Sequence, residues 1–341
     1  MNEITRIAID TSKAVFTLHG VDAADRPVLR RNLRRRELLS FFEKLPPAEV
    51  VLEACGGSHH WRRTLAALGH RVRLIPPHYV KPFVKRGKND RNDAEAISVA
   101  AGQPSIGSVP VKSAEQQAAA MLLSVRELLV RQRTQLVNAL RGHAAEFGVV
   151  APLGDKGVAA LQAEIATADE AAVPAAAKQA IALLGGEADR VEARLAAINA
   201  RLMQQHKADP LSRRLATQPG IGPIAALTAA ARVDPAQFKS ARHFAAWVAL
   251  VPRESSTAGR QRLGGISRAG DERLRQLLVL GATAVIRHAK PGRPGCSPRL
   301  LNLLSRKPRK LVAVALANKM ARILWVMMTS GEAYRPHKVA A

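Results

Sequence analysis

The first hundred or so residues alternate between short apolar, β-branched runs and polar turns. "TRIAID" (residues 5–10) is apolar enough to predict a buried strand. "AVFTLHGVD" and "RPVLRRNLR" follow with turn residues between them, predicting a three-stranded meander with the first run. "EVVLEA" (Glu49–Ala54) and "RVRLIPP" predict two more strands. Helical periods lie between and after these runs. "LLSFFEKL" predicts a short helix ended by Pro46 and Pro47, and "SHHWRRTLAALG" a helix stopped at Gly69. "RNDAEAISVAAG" predicts a helix with Asn89 or Asn92 near its start.

The pattern changes near residue 113. "AEQQAAAMLLSVRELLVRQRTQLVNALRGHAAEFG" keeps helical spacing over some 35 residues and needs a partner, which predicts an antiparallel pair or coiled coil. The second arm is "GGEADRVEARLAAINARLMQQHK", and the Ala/Pro stretch around Pro174 reads as a connecting element. From "LATQPGIGPIAALTAAARV" (Leu215–Val233) onward the chain reads as helical, basic and broken by Gly-rich turns. The expected organisation is an α/β domain over 1–112, a helical coiled-coil region over 113–208 and a helical C-terminal domain over 209–341.

Composition agrees with this division. A chain of 341 residues suits two or three domains, and 47% hydrophobic residues supply their cores. Aromatic residues are only 4%, and the heavy use of Ala favours long helices over aromatic-rich β-sandwiches. "MNEITRIAID" is no signal peptide, and no uninterrupted run of 18 apolar residues predicts a membrane span. Cys55 and Cys296 lie far apart, so no disulfide framework is expected and a cytoplasmic, reducing setting is the default. No His/Cys cluster has zinc-ligand spacing.

The formal net charge of +25 points to a polyanionic partner, most often nucleic acid. The excess is concentrated from Leu250 to Ala341, where 18 Lys and Arg face four Asp and Glu. Solubility alone needs far less charge.

Against this basic background four acids stand out. Asp10 is near the end of the first strand and Glu53 at the end of "VVLE", positions where a carboxylate is expensive unless paired or metal-bound. Asp90 and Asp93 are spaced i, i+3 on a helix and so share a face. Taken singly, Asp10 reads equally well as a turn former, and the aspartate pair as first-turn acids stabilised by the helix dipole. Taken together, two strand-end acids and a helical pair can bind two Mg²⁺ ions, which take hard oxygen ligands. Two metals clamp the attacking and leaving oxygens of an in-line phosphoryl displacement.

"PGIGP" (Pro219–Pro223) places Gly220 and Gly222 in a tight turn before an Ala-rich helix. It reads either as a phosphate-binding helix N-terminus or as a packing turn. Arg260, Arg262, Arg268, Arg273 and Arg275 crowd the polar stretch "RESSTAG" and read as phosphate contacts, while "RKPRK" (Arg306–Lys310) reads either as a further phosphate contact or as a solvated charge run. Cys55 reads as a small core residue, and His59 and His60 either as nucleic-acid contacts or as a solvated helix start.

In this order, "IAIDTSK", "VLEACGG", "KNDRNDAEAIS", "QLVNALRGHAAEFG", "PGIGPIAALTAAARVDPAQFKSARHFAAWVALVPRESS" and "GGISRAGDERLRQLLV" make nearly the whole chain resemble one family. This is the insertion-sequence transposases with a RuvC-like Asp-Glu-Asp-Asp nuclease domain, the group that includes Piv invertases and bridge-RNA-guided recombinases. The resemblance implies an RNase H-like fold for the first domain, metal ligation by Asp10, Glu53, Asp90 and Asp93, and a C-terminal transposase domain with a helix-hairpin-helix-like element. It also implies a serine nucleophile in "LVPRESSTAGRQRLGG". Here Thr257 stands where many relatives carry the serine and Ala258 replaces a glycine, so Ser256 is the first candidate, then Ser255, then Thr257. Donor and target DNA, a non-coding guide RNA and a homo-oligomer are the implied partners. A RuvC-type junction nuclease would need the four acids but not Ser256. A non-catalytic nucleic-acid-binding protein would need only the basic surface.

Overall fold

This computed structural model describes residues 3–335 apart from Lys88, Ala269, Pro294 and the side chain of Asp155. The chain divides into two compact units, Met1–Ser113 and Ala114–Ala341. The regions expected over 113–208 and 209–341 therefore fall in one unit.

The first unit is a five-stranded sheet. Strands β1 (Arg6–Thr11), β2 (Val15–Val21) and β3 (Pro27–Arg34) form the antiparallel meander that their spacing predicts. Helix α1 (Leu38–Phe42) leads to β4 (Glu49–Glu53), and α2 (Ser58–Ala67) leads to β5 (Arg71–Ile75). These crossovers let β4 lie parallel to β1 and β5 parallel to β4, giving the order β3-β2-β1-β4-β5. A short helix α3 (Pro77–Val80) precedes α4 (Asp90–Gly102).

Strand alternation sends successive side chains to opposite faces of this sheet. Ile7, Ile9, Val50 and Leu52 pack with Leu38, Phe42, Trp61 and Leu65 of α1 and α2. Ala8, Val51 and Ile75 pack on the other face with Ala96, Ile97, Ala100 and Ala101 of α4. The small residues of α4 let it lie close to the sheet. The same parity puts Asp10 and Glu53 on the α4 face, because each is two residues beyond an inward partner, Ala8 or Val51.

The second unit opens with α5 (Ala114–Ala145), α6 (Asp155–Thr167) and α7 (Ala175–Ala208). α5 and α7 run antiparallel: Arg126 Nε donates to Asn199 Oδ1 at 2.7 Å, Arg133 pairs with Glu192, and Leu140 shares a core with Ile181. The Ala/Pro stretch connects α6 to α7 only as far as Pro174, and the alanines after it already belong to α7. α7 begins directly after Pro174 and passes through Gly185 and Gly186. Gly185 does not end the helix, and the Gln162 side chain of α6 lies against it, its amide nitrogen 2.0 Å from where a Cβ would stand.

The rest comprises α8 (Pro210–Leu215), α9 (Pro223–Arg232), α10 (Ala241–Trp247), the hairpin strands β6 (Pro252–Glu254) and β7 (Leu263–Ile266), α11 (Glu272–Arg287), α12 (Pro298–Arg306) and α13 (Arg309–Ser330). The C-terminal region is thus not purely helical, since β6 and β7 form an antiparallel ribbon. α13 is long and apolar enough to cross a membrane by length and composition. Its residues Ala317, Met320, Ala321, Leu324 and Met327 nevertheless lie in the core shared with α9, α10 and α11.

Candidate functional site

The acidic site is built at one end of the parallel strands. Pairing of β1 with β4 runs to Ile9 and Leu52, so Asp10 and Glu53 are the next residues on adjacent strands. α4 brings the other two acids. Asn89 caps this helix by accepting from the Asn92 backbone N–H at 2.9 Å, which fixes where its first turn starts. Asp90 and Asp93 stand in that turn, where the helix dipole favours negative charge.

Carboxylate oxygens of Asp10, Asp90 and Asp93 lie within 4.8 Å of one another. Glu53 is outside that tight group but electrostatically coupled to it: its charge raises the Asp10 pKa, and Asp93 raises its own. Burial is the larger cause in both cases. Asp10 is pushed from the ordinary 3.8 up to about 6, by burial first and then by Asp93, Asp90 and Glu53, against a lowering hydrogen bond from the Thr11 backbone. Burial lifts Glu53 as well. Among the described residues none of the four acids forms an ion pair with Lys or Arg. Asp10, Glu53 and Asp93 are half-buried and Asp90 is exposed; carboxylates crowded in this way are unfavourable unless a positive ion joins them, and an all-oxygen donor set fits a hard divalent cation.

The second constellation is the β6–β7 hairpin. Thr257 and Arg260 exchange backbone hydrogen bonds across a two-residue turn, with φ of 47° at Ala258 and 75° at Gly259. Positive φ at both central residues is the type I′ geometry that suits strand twist, and it explains Gly259. Glu254 ends β6, and Ser256 lies two residues beyond it, before the turn. Ser256 Oγ donates to Glu254 Oε1 at 2.6 Å and accepts from the Arg262 backbone N–H at 3.2 Å. Ser255 and Thr257 give their backbone N–H groups to Arg262 and Arg260 carbonyls. "RESSTAG" is therefore an ordered, exposed ribbon rather than a loose loop.

The remaining sequence candidates separate by exposure. Arg260, Arg262 and Arg268 are exposed on or beside the hairpin. Arg273 lies near Glu127 of α5, at 3.7 Å. Arg275 is only 8% exposed, and its guanidinium donates to the Val248 carbonyl at 3.3 Å, so it acts as a strut between α11 and the end of α10 and not as a phosphate contact in this fold. Gly220 takes φ of 86° and packs against α11: a Cβ on Gly281 would come within 1.9 Å of the Gly220 carbonyl. Gly220 is thus a packing residue, while Gly222 is exposed at the N-terminus of α9.

A cleft of about 1900 Å³ opens beside the hairpin, floored by apolar residues of α12 and α13. Its described lining holds eight Lys and Arg, among them Arg253, Arg268, Lys310, Lys319 and Arg322, against the single acid Glu332. Sequence reasoning missed this cleft, because its cations are scattered over five segments. It also missed Glu254 as a partner of Ser256, two residues away. Cys55 is not a core residue: it is exposed, with Sγ 3.3 Å from Thr11 Oγ1. His59 is half-buried and accepts from the Lys112 backbone N–H at 3.4 Å, with its pKa lowered by burial and by Lys112 and Arg63.

Comparison with known proteins finds matches in both units. Residues 7–148 match the DEDD-type IS110 transposase domain, and residues 212–294 match the family described as Transposase IS116/IS110/IS902. A transposase-family protein of Sinorhizobium fredii, y4pF/y4sB, is 52% identical over 98% of this chain and 87% of its own length. A protein of Pseudomonas aeruginosa named as a family 20 transposase is 46% identical over 98% of this chain and 99% of its own. The transposase for insertion sequence element IS1111A of Coxiella burnetii is 36% identical over 98% and 92%.

Proposed function

The chain belongs to the IS116/IS110/IS902 transposase family, and on that premise we propose that it is a DNA recombinase which moves its insertion sequence through a serine nucleophile and an Mg²⁺-dependent acidic site. The observation that carries this reading is the convergence of Asp10, Asp90 and Asp93, with Glu53 beside them, in a chain of net charge +25. The strand order β3-β2-β1-β4-β5, with acids at the ends of β1 and β4, supports a RuvC-like, RNase H-like first domain.

Asp10, Glu53, Asp90 and Asp93 would hold Mg²⁺, which supplies Lewis-acid stabilisation of phosphate charge when bound. The chain's own groups do the rest. Exposed Arg260, Arg262 and Arg268, the basic cleft and the α9 N-terminus at Gly222 hold the DNA backbone without reading bases. Ser256 Oγ attacks the scissile phosphorus. An Oγ–P bond forms, the bond from phosphorus to the leaving deoxyribose oxygen breaks, and the protein becomes covalently joined to DNA. The serine proton goes to solvent at the exposed hairpin, and the leaving oxygen takes a proton from water. The reverse attack by a DNA hydroxyl rejoins the strands and frees the serine. Family kinship supports a non-coding guide RNA that selects donor and target by base pairing, a homo-oligomer that holds two DNAs at once, and action in the cytoplasm, where the DNA lies.

The test is a denaturing gel of labelled donor and target DNA incubated with the protein, RNA transcribed from the element's flanks, and Mg²⁺. The expected result is a protein–DNA adduct that is lost in Ser256→Ala and in Asp10→Asn. Cleavage without an adduct, lost only in Asp10→Asn, would instead establish a junction nuclease that uses the acids alone. Binding with neither cleavage nor adduct would leave a nucleic-acid-binding protein.

A further inference from the structure

Ser256 is held in a way that its two hydroxyl neighbours are not. A serine hydroxyl has one hydrogen and two lone pairs. Here the hydrogen is committed to Glu254 Oε1 at 2.6 Å, and one lone pair takes the Arg262 backbone N–H at 3.2 Å. One lone pair remains, on an exposed ribbon.

The arrangement follows from the backbone. The Ser256–Glu254 hydrogen bond holds the two side chains together just beyond the end of β6, and the type I′ turn at Ala258 and Gly259 sets the register that brings Arg262 N–H under the Ser256 oxygen. Among the described residues, the Ser255 and Thr257 hydroxyls have no side-chain acceptor comparable to Glu254.

We propose that Glu254 is the positioning residue of the nucleophile. By accepting the hydroxyl hydrogen it stops rotation about the Cβ–Oγ bond and turns the remaining lone pair outward, toward an incoming phosphorus. This rests on the reading of Ser256 as the nucleophile. The bonds made and broken are those of that reading: as the Oγ–P bond forms, the hydrogen bond to Glu254 Oε1 breaks and the serine proton is released to water. The role assigned to Glu254 is acceptor geometry rather than proton removal, and Glu254→Gln separates the two. Orientation of this kind is worth about 10- to 100-fold in rate.

The experiment is single-turnover adduct formation on the same labelled DNA, with flank-derived RNA and Mg²⁺, for Ser256→Ala, Glu254→Ala, Glu254→Gln and Thr257→Ala. Circular dichroism and DNA-binding affinity of each variant show that it is folded and loaded. Ser256→Ala abolishes the adduct. Glu254→Ala slows it about 10- to 100-fold at unchanged DNA affinity. Glu254→Gln, which keeps an oxygen acceptor but no charge, restores most of the lost rate. If Glu254→Ala matches the wild type while Ser256→Ala gives no adduct, the positioning role falls and the nucleophile stands. If Glu254→Gln is as slow as Glu254→Ala, proton acceptance and not orientation is the role, and the proposal is overturned. An adduct that survives Ser256→Ala but not Thr257→Ala removes the nucleophile reading and this inference with it.

Discussion

At the scale of single residues, the acids define a cost that a metal would remove. The folded-state pKa of Asp10 is about 6, above its ordinary 3.8, so the metal-free fold binds that proton more tightly than the unfolded chain does. This contribution is present below pH 4 and is lost as pH rises through 6. Above pH 6 the metal-free protein carries an ionised Asp10 beside other acids. Asp10→Asn therefore raises the melting temperature of the metal-free protein at pH 7. After discounting for the partial exposure of Asp10, the gain is about 1 kcal/mol, or roughly 2–4 °C. Calorimetry in chelator decides the sign, and a lower melting temperature would contradict it. The arginines divide in the same residue-level way. Arg275→Ala costs about 2–3 kcal/mol of stability, because it empties a buried site and strands the Val248 carbonyl. Arg262→Ala leaves the melting temperature in place and lowers the slope of log affinity for DNA against log salt by about 1. The sequence marked all five arginines alike. Burial, which separates Arg275 from Arg262, depends on where α11 meets the end of α10, and no local pattern encodes that.

At the scale of elements, local chemistry made the first unit readable. Each strand there has its own alternation or apolar run, and α4 has Asn89 as a cap, so parity alone places Asp10 and Glu53 on one face. The second unit was harder. The second arm was expected to begin at Gly185, yet α7 begins directly after Pro174 and runs on through Gly185 and Gly186, because the Ala-rich turns before them are helical as well. The β6–β7 ribbon was hidden because its strands are short, polar and exposed, without the apolar alternation that marks a strand. The Gly220–Gly281 contact gives an element-scale prediction. A Cβ on Gly281 meets the Gly220 carbonyl at 1.9 Å, so Gly281→Ala forces α11 away from the turn before α9. The expected loss is about 3 kcal/mol by chemical denaturation. An unchanged midpoint would show that the two segments do not touch in solution.

At the scale of the whole molecule, one very basic chain carries two unlike chemical groups: a carboxylate cluster in the first unit and a serine hairpin beside a cationic cleft in the second. Net charge of +25 attracts phosphate to both, and the acids supply the only strongly cation-seeking spot described on it. DNA affinity is accordingly expected to fall steeply with salt, by at least tenfold between 50 and 200 mM, whatever the base sequence of the probe. The central claim is that the acids of β1, β4 and α4 form one divalent-metal centre. Titration of the metal-free protein with Mn²⁺, followed by electron paramagnetic resonance, tests this most directly. The wild type takes up Mn²⁺, which Mg²⁺ then displaces, while Asp10→Asn and Asp93→Asn each lose the bound signal. Equal uptake by the wild type and both variants would place the metal elsewhere and contradict the account.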